Sequence, residues 1–184
     1  MDRELIERAR NGDHAAFDAL VVGTIGRMDG AARLILRDPE LARDAVQEAF
    51  ARAWRDLPGL RAPDRFEVWL HRLVVNACYD ELRRRRRRPV EVEIRVLHHP
   101  SIPDSQSASA DRDALDRALA QLEPELRALV VLFYYLDLPL AQAADAAGIP
   151  SGTAKSRLHR ARTAMREALG DPAVGSRQMA EGHT

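Results

Sequence analysis

Four polar residues near the C-terminus recur at a spacing that places them together on one face of a helix. Lys155 and His159 lie four positions apart, as do Ser156 and Arg160, so a helix would bring the two pairs side by side. Side chains of these types donate hydrogen bonds to base edges and to phosphates in a DNA groove. Arg160 could hold a guanine through two hydrogen bonds, and the backbone amide of Thr153, near the helix start, could hold a phosphate.

The sequence around these residues predicts a helix-turn-helix. A short helix of about 139–147 is followed by the turn Gly148-Ile149-Pro150, and Ser151 is expected to cap a second helix. The apolar stripe of that second helix consists of Ala154, Leu158, Ala161, Met165 and Leu169. Such a motif can place its second helix in the major groove of DNA. The alternative interpretation is a solvated basic face on a helical hairpin.

Helical periodicity also dominates the N-terminal half. We predict one helix over residues 2–22, interrupted near Asn11-Gly12-Asp13, and another over about 24–37. Asp38 and Pro39 are a helix start signal, since an acidic N-cap precedes proline at the first helical position. The helix that follows is expected to end near Asp56.

The next predicted helix has one apolar and one polar face. The apolar stripe consists of Phe66, Trp69, Leu70, Leu73, Val74, Ala77 and Cys78. The polar face consists of Arg72, Asn76, Asp80 and Arg83. The helix ends in six consecutive arginines, 83–88, which are a solvated helix end, a strip that binds phosphates or a basic targeting tract.

Residues 89–111 differ in composition and are predicted to be a linker. Pro100, Pro103 and a stretch rich in Ser, Asp and Gln mark it. Within it, residues 90–97 begin with the alternation of apolar and charged residues that is typical of a β-strand, but no second segment of this kind is present to pair with it. A locally tucked strand and an extended segment that becomes ordered against a partner are equal alternatives.

The C-terminal half is predicted to be helical as well. One helix covers about 112–121, and the next runs from Pro124 until Asp137-Leu138-Pro139 breaks it. The core stripe of this second helix is predicted to consist of Leu126, Leu129, Val130, Phe133 and Tyr134. Residues 171–184 are predicted to be a disordered tail.

Composition is typical of a helical globular protein. Of the 184 residues, 46% are apolar, 30% are charged and only 5% are aromatic, which favours helices over sheets. The net charge is zero, but basic and acidic residues gather in different segments, so binding to nucleic acid is not excluded. We find no signal peptide and no apolar run long enough for a bilayer, and therefore expect a cytoplasmic protein that does not enter membranes.

No set of residues in the sequence predicts catalysis. A nucleophile–base signature, a glycine-rich phosphate loop and a metal motif are all lacking, so we expect a non-enzymatic protein without cofactor or metal. His98 and His99 lie near Asp104 but lack a third ligand at a zinc-like spacing, and we interpret them as linker residues. Cys78, the single cysteine, is interpreted as a small core residue rather than a redox handle.

Three stretches of the chain together resemble the extracytoplasmic-function (ECF) sigma factors of bacterial RNA polymerase. They are 44–54 (DAVQEAFARAW), 66–77 with the pattern F-x-x-W-L-x-R-x-x-x-N-A and its trailing arginines, and 122–167 with the run GIPSGTAKSRLHRAR. The resemblance covers about 2–88 and 112–168.

The resemblance implies an all-α fold of two small helical domains, an N-terminal helical bundle and a C-terminal helix-turn-helix bundle, joined by a flexible linker. We therefore predict a sigma region 2-like domain over 1–88, the linker over 89–111 and a sigma region 4-like domain over 112–170. The tail over 171–184 would follow them.

For this family the resemblance also implies binding to core RNA polymerase, recognition of the −10 and −35 promoter elements, and promoter melting. By motif position, the residues expected at the polymerase are Asp44, Gln47 and Glu48. Those expected at the −10 element, where a base flipped from the stack would be captured, are Leu60, Arg72, Leu73, Asn76, Ala77, Asp80 and Arg83. Those expected at the −35 element are Thr153, Lys155, Ser156, Arg157, His159 and Arg160. An anti-sigma factor is implied as a further partner, although no residue identifies it.

The sequence departs from the family pattern in two places. Residues 141–147 (AQAADAA) have smaller side chains than the family's scaffold helix, which predicts a thinner core because each missing methylene forfeits about 0.8 kcal/mol of burial. The loop 56–65 contains no aromatic side chain to stack on a flipped base. From the residues alone, two other protein classes stay open: a dimeric helix-turn-helix regulator, and a helical adaptor that would not need the basic face of the last helix.

Overall fold

The computed structural model describes residues 2–87 and 106–170, and all regular secondary structure in these ranges is helical. The α-helices in chain order are α1 (Arg3–Arg10), α2 (His14–Leu36), α3 (Pro39–Asp56), α4 (Phe66–Arg87), α5 (Gln106–Ala120), α6 (Pro124–Val130), α7 (Leu140–Ala147) and α8 (Ser151–Ala168). Two 3-10 turns connect α3 to α4, and a π-helical turn at 131–135 extends α6. The predicted all-α fold is confirmed for these ranges. The alternatives for 90–97, the linker histidines and the tail lie outside them.

The N-terminal bundle is built around α4. This helix packs against α3 and α2, and α2 in turn packs against α1. The side chains that α4 buries include Phe66, Leu70, Val74 and Cys78, each no more than 2% exposed. Burial raises the pKa of the Cys78 thiol to about 12, so the thiol stays protonated at neutral pH. Cys78 is therefore a core residue, as predicted.

The first two helices are separated at residues 11–13, where an interruption was predicted. Gly12 has the left-handed φ of +90° that favours glycine, and Asp13 caps the next helix by accepting a hydrogen bond from the Ala16 amide at 3.1 Å. From there α2 continues to Leu36. The predicted interruption near Gly12 is therefore confirmed, whereas the predicted boundary between 22 and 24 is wrong, because α2 passes Gly23 without a break.

The C-terminal bundle consists of α5 to α8. In it α8 packs against α5, α6 and α7. Helix α5 begins at Gln106, inside the segment predicted to be linker and before the predicted start at 112. Leu129 and Val130 are buried as predicted, but Tyr134 is 54% exposed. The core stripe predicted for α6 fails there because the wider π-helical turn at 131–135 rotates the later side chains around the helix axis.

The predicted helix-turn-helix is present as α7 and α8. Gly148 ends α7 with a φ of +69° and donates a backbone hydrogen bond to Asp145, a glycine C-cap. Ser151 is the first residue of α8 and Pro150 precedes it without a side-chain cap, so the predicted serine cap is wrong. Ala144 and Ala154 are fully buried, and such small side chains allow two helices to approach closely.

Replacing Asp38 should separate its capping role from its charge. Its side chain accepts hydrogen bonds from the amides of Glu40 and Leu41 at 3.0 and 3.2 Å. We expect Asp38→Ala to lower the free energy of unfolding by about 1 kcal/mol, whereas Asp38→Asn keeps an acceptor and should remain near wild type. Urea denaturation of the three proteins measures this. An equal loss in both variants would instead implicate the ion pair with Arg85 at 3.6 Å.

Candidate nucleic-acid interface

The exposed face of α8 carries the main residues predicted to contact DNA. Lys155, Ser156, His159 and Arg160 are all exposed, because the other face of the helix buries Ala154, Leu158 and Ala161. Within the described parts of the chain, neither Lys155 nor Arg160 forms an ion pair. The cationic groups of this face are thus available for a polyanion.

Thr153 and Arg157 lie at the border of that face. Both are half-buried. Arg157 lies close enough to α4 to act on the Tyr79 phenol, whose pKa is raised by burial and by the carboxylate of Glu125 and lowered by the Arg157 charge. The charge of Arg157 therefore lies near the N-terminal bundle.

A cleft of about 370 Å³ opens between the loop before α4 and α4 itself. We call it the loop pocket. Of the residues predicted at the −10 element, Leu60 and Arg72 line it together, whereas Leu73 and Asn76 do not. Ala77 is only 1% exposed and belongs to the core. The complete lining of the loop pocket is Leu60, Arg61, Ala62, Arg65, Val68, Trp69, Arg72 and Asp145.

Trp69 is a wall of the loop pocket that the sequence analysis assigned to the core. Its ring is half-buried and lies 5.9 Å from the ring of Phe66, centroid to centroid. The loop itself lacks an aromatic residue, but α4 supplies one. The spacing of three between Trp69 and Arg72 places both on one side of the helix and was the signal that could have indicated this role.

The polar face of α4 continues beyond the loop pocket with a network of charges. Asp80 is held by Arg52 at 2.9 Å and by Arg83, and Arg52 also pairs with Glu48 at 2.7 Å. Burial alone would raise the pKa of the Asp80 carboxyl, but the hydrogen bonds from the two arginines outweigh it and hold that pKa below its usual range. Asp80 thus stays ionised and orients Arg83. The sequence analysis missed Arg52, which lies 28 residues from Asp80.

A second cavity, of about 570 Å³, brings together the three residues predicted at the polymerase. Asp44 and Gln47 are exposed on it and Glu48 is half-buried. We call it the acidic concavity. It is also lined by Asp38, Leu41, Ala51, Glu81, Arg84 and Arg85.

The described residues contain neither a metal-binding cluster nor a membrane-spanning helix. Within 2–87 and 106–170, no three residues among His, Cys, Asp and Glu are grouped so that they could hold a metal ion. Among the helices of these same ranges, none combines the length and the hydropathy that a bilayer crossing requires.

Comparisons with known proteins agree with the two-bundle architecture. The family model for Sigma-70 region 2 matches residues 20–88, and the model for Sigma-70 region 4 matches residues 112–165. The ECF RNA polymerase sigma factor SigM of Mycobacterium tuberculosis is 37% identical over 92% of this chain and 85% of its own length. The RNA polymerase sigma-H factor of Pseudomonas aeruginosa is 31% identical over 91% of this chain and 93% of its own.

Solved structures share the fold across both bundles. CnrH, in complex with the cytosolic domain of CnrY, aligns with a TM-score of 0.70 and 25% identity, covering 94% of this chain and 99% of that chain. The sigma factor RpoE from Bartonella quintana, solved with the anti-sigma factor NepR, has the same TM-score of 0.70 at 24% identity over 84% of this chain.

The charge network at Asp80 should make stability depend on pH in a defined direction. Because the folded-state pKa of Asp80 lies below its unfolded value of about 3.9, the stability it contributes is present above that pH and is lost as the pH falls through the folded pKa. Asp80→Asn should therefore be less stable than wild type near neutral pH, and the difference should close in acid. Urea denaturation across this range measures it, and a gap that persists in strong acid would contradict the ionic origin.

Proposed function

Since the chain belongs to the extracytoplasmic-function family of RNA polymerase sigma factors, we propose which of its surfaces bind each promoter element and the polymerase. As such a sigma factor it binds core RNA polymerase, recognises the −35 and −10 elements and promotes melting to initiate transcription. The observation that carries the assignment of DNA contacts is the exposed basic face of α8 on its helix-turn-helix.

We assign α8 to the −35 element. Its exposed face would enter the major groove, with Lys155 and Ser156 in the first turns nearest the bases. Arg160 is suited to a bidentate contact with guanine, and His159 can donate to a base or a phosphate. Thr153 and Arg157, at the border of the face, would hold phosphates and set the angle of the helix in the groove.

We assign the loop pocket and the polar face of α4 to the −10 element. Leu60 and Trp69 offer an apolar and an aromatic wall for a base taken out of the stack. Arg72 at the pocket edge would hold a phosphate. Beyond the pocket, exposed Asn76 has the amide needed to read a base edge.

The remaining predicted residues of this face have supporting roles in the proposal. Half-buried Leu73 would add apolar contact with the DNA beside Asn76. Ala77 would keep α4 close to its neighbours, since its methyl group is buried. Asp80 pairs with Arg83 and would position its guanidinium against the DNA backbone. The charge of Asp80 itself would not repel the DNA strongly, because its two arginine partners neutralise it.

We assign the acidic concavity to core polymerase. Asp44, Gln47 and Glu48 would meet a basic surface on the clamp helices of the largest subunit. Solved relatives are complexes with CnrY and with the anti-sigma factor NepR, so we infer a protein inhibitor of that kind here. We also infer a cytoplasmic location and no catalytic activity of the chain's own.

Run-off transcription with purified core polymerase and start-site mapping tests the whole assignment. The purified chain should bind core polymerase and direct initiation from promoters that carry both elements. A chain that does not associate with the polymerase, or directs no initiation in its presence, would contradict it.

Arg160→Ala should reduce promoter discrimination by about 1–3 kcal/mol if Arg160 contacts a guanine. The matched control is Arg166→Ala, which removes the same charge from an exposed position near the other end of α8. Run-off transcription from promoters that differ only in the −35 element compares the two variants. Full activity and discrimination in Arg160→Ala would remove this residue from the base contacts.

Asp44→Arg should weaken binding to core polymerase while leaving the fold intact, because the residue is exposed and its replacement repels a basic partner surface. Asp18→Arg introduces the same change at an exposed position on α2 and serves as the control. Fluorescence anisotropy with labelled sigma factor gives the affinities, and circular dichroism checks the fold. Equal affinities for the two variants would remove the acidic concavity from the interface.

A further inference from the structure

Arg52 of α3 joins two carboxylates that belong to different helices of the N-terminal bundle. Its Nε donates to Oε1 of Glu48, one turn earlier on α3, at 2.7 Å, and its Nη1 donates to Oδ2 of Asp80 on α4 at 2.9 Å. The side chain is only 23% exposed, because α3 and α4 pack against each other there. Both bonds join an ionised donor to an ionised acceptor, which makes them strong for hydrogen bonds in proteins.

The carboxylate of Asp80 binds a different arginine with each of its oxygens. Arg52 occupies Oδ2, and Arg83 donates a single hydrogen bond from Nη2 to Oδ1. A guanidinium has five N–H donors, and the Arg83 side chain is 62% exposed. With Arg52 in place, Arg83 is therefore anchored at one point and can bind a second anion with its other donors.

Loss of Arg52 would change how Asp80 binds Arg83. Oδ2 would lose its partner, and a carboxylate with two available oxygens favours a bidentate pair with a guanidinium. Both oxygens of Asp80 would then bind Arg83. The charge of Arg83 would be neutralised by a carboxylate that it no longer shares, and fewer of its donors would remain for another anion.

The two arginines that follow Arg83 in the chain lie on another side of α4. Arg84 and Arg85 both line the acidic concavity and pair with carboxylates there. Of these three arginines, Arg83 is the one that shares a carboxylate with Arg52. The cation available on the polar face of α4 at this point therefore depends on how Asp80 divides its two oxygens.

We propose that Arg52 is a positioning residue for promoter binding: it occupies one oxygen of Asp80 and so leaves the Arg83 guanidinium free to bind the backbone of the −10 strand. This role rests on the assignment of Arg83 to the DNA backbone. Arg52 acts through Asp80, since its own Nε and Nη1 are bound to carboxylates. Glu48 holds the Arg52 guanidinium in the orientation that reaches Asp80, so a residue assigned to polymerase also supports the DNA-binding face.

The salt dependence of DNA binding tests this role, because it measures how many phosphates a protein neutralises. The sigma factor is assembled with an excess of core polymerase. The probe is a fluorescein-labelled promoter fragment from the mapped start sites, with its −10 strand left single-stranded. Fluorescence anisotropy gives the affinity between about 50 and 200 mM salt, and each phosphate contact on a single strand contributes about 0.7 to the slope of log affinity against log salt.

Arg52→Met removes the guanidinium and keeps a long side chain that favours the helix. The slope should become shallower by about 0.7, as it should in Arg83→Ala. The double variant should be no shallower than Arg83→Ala alone, since both changes remove the same contact. Adding Asp80→Asn to Arg52→Met should restore the wild-type slope, because no carboxylate then neutralises Arg83.

Arg33→Met is the matched control. Arg33 is also partly exposed and pairs with a carboxylate, that of Asp29 at 2.6 Å, but both residues lie on α2. The control removes the same charge and one ion pair, and it should keep the wild-type slope. A purely structural role of Arg52 would reduce the amount of folded protein at every salt concentration without changing the slope.

Three results would overturn the proposal. The first is a wild-type slope in Arg52→Met while Arg83→Ala is shallower, which would leave the assignment of Arg83 to DNA intact. The second is a double variant that is shallower than Arg83→Ala by about 0.7 more, since Arg52 would then act independently of Arg83. The third is failure of Asp80→Asn to restore the slope in the Arg52→Met background. An unchanged slope in Arg83→Ala would contradict the assignment of Arg83 to DNA and the role of Arg52 with it.

Discussion

The apolar stripe of α4 fixes where every polar side chain of that helix points. Phe66, Leu70 and Val74 are buried against α2 and α3, and this burial sets the rotation of α4 about its axis. A rotation by one residue, about 100° on a helix of 3.6 residues per turn, would turn Arg72 and Asn76 away from the side that we assign to DNA. Hydrophobic packing therefore positions the polar groups that we assign to the promoter.

The same dependence explains which parts of the sigma factor can be predicted from sequence. Amphipathic periodicity with start signals identified α3, α4 and α8 and hence the exposed residues on their polar faces. Periodicity predicted the wrong structure at two positions. Gly23 suggests a break but lies within α2, and Tyr134 follows the helical period but comes after the start of a π-helical turn that no residue pattern announces.

Helical periodicity could not predict the contacts that complete the site, because they join residues far apart in the sequence. Arg52 and Asp80 are 28 residues apart, and Arg65 and Asp145 are 80 apart. A periodic pattern shows which residues share a face of one helix, but it does not show which face of a distant helix meets them. Each arginine is ordinary in the sequence and acquires its role only from tertiary packing.

The contact between the two bundles combines a weak ion pair at the loop pocket with a stronger bond from Arg127 of α6 to the Ile35 carbonyl at the end of α2. The Arg65–Asp145 pair is more than half exposed on both sides, and such pairs contribute about 0–1 kcal/mol. Arg127 is buried, and hydrogen bonds to charged groups contribute about 1.5–3 kcal/mol each, offset in part by desolvation of the guanidinium. The relative orientation of the bundles is therefore held mainly by the buried arginine at the end of α2, and only weakly by the exposed ion pair.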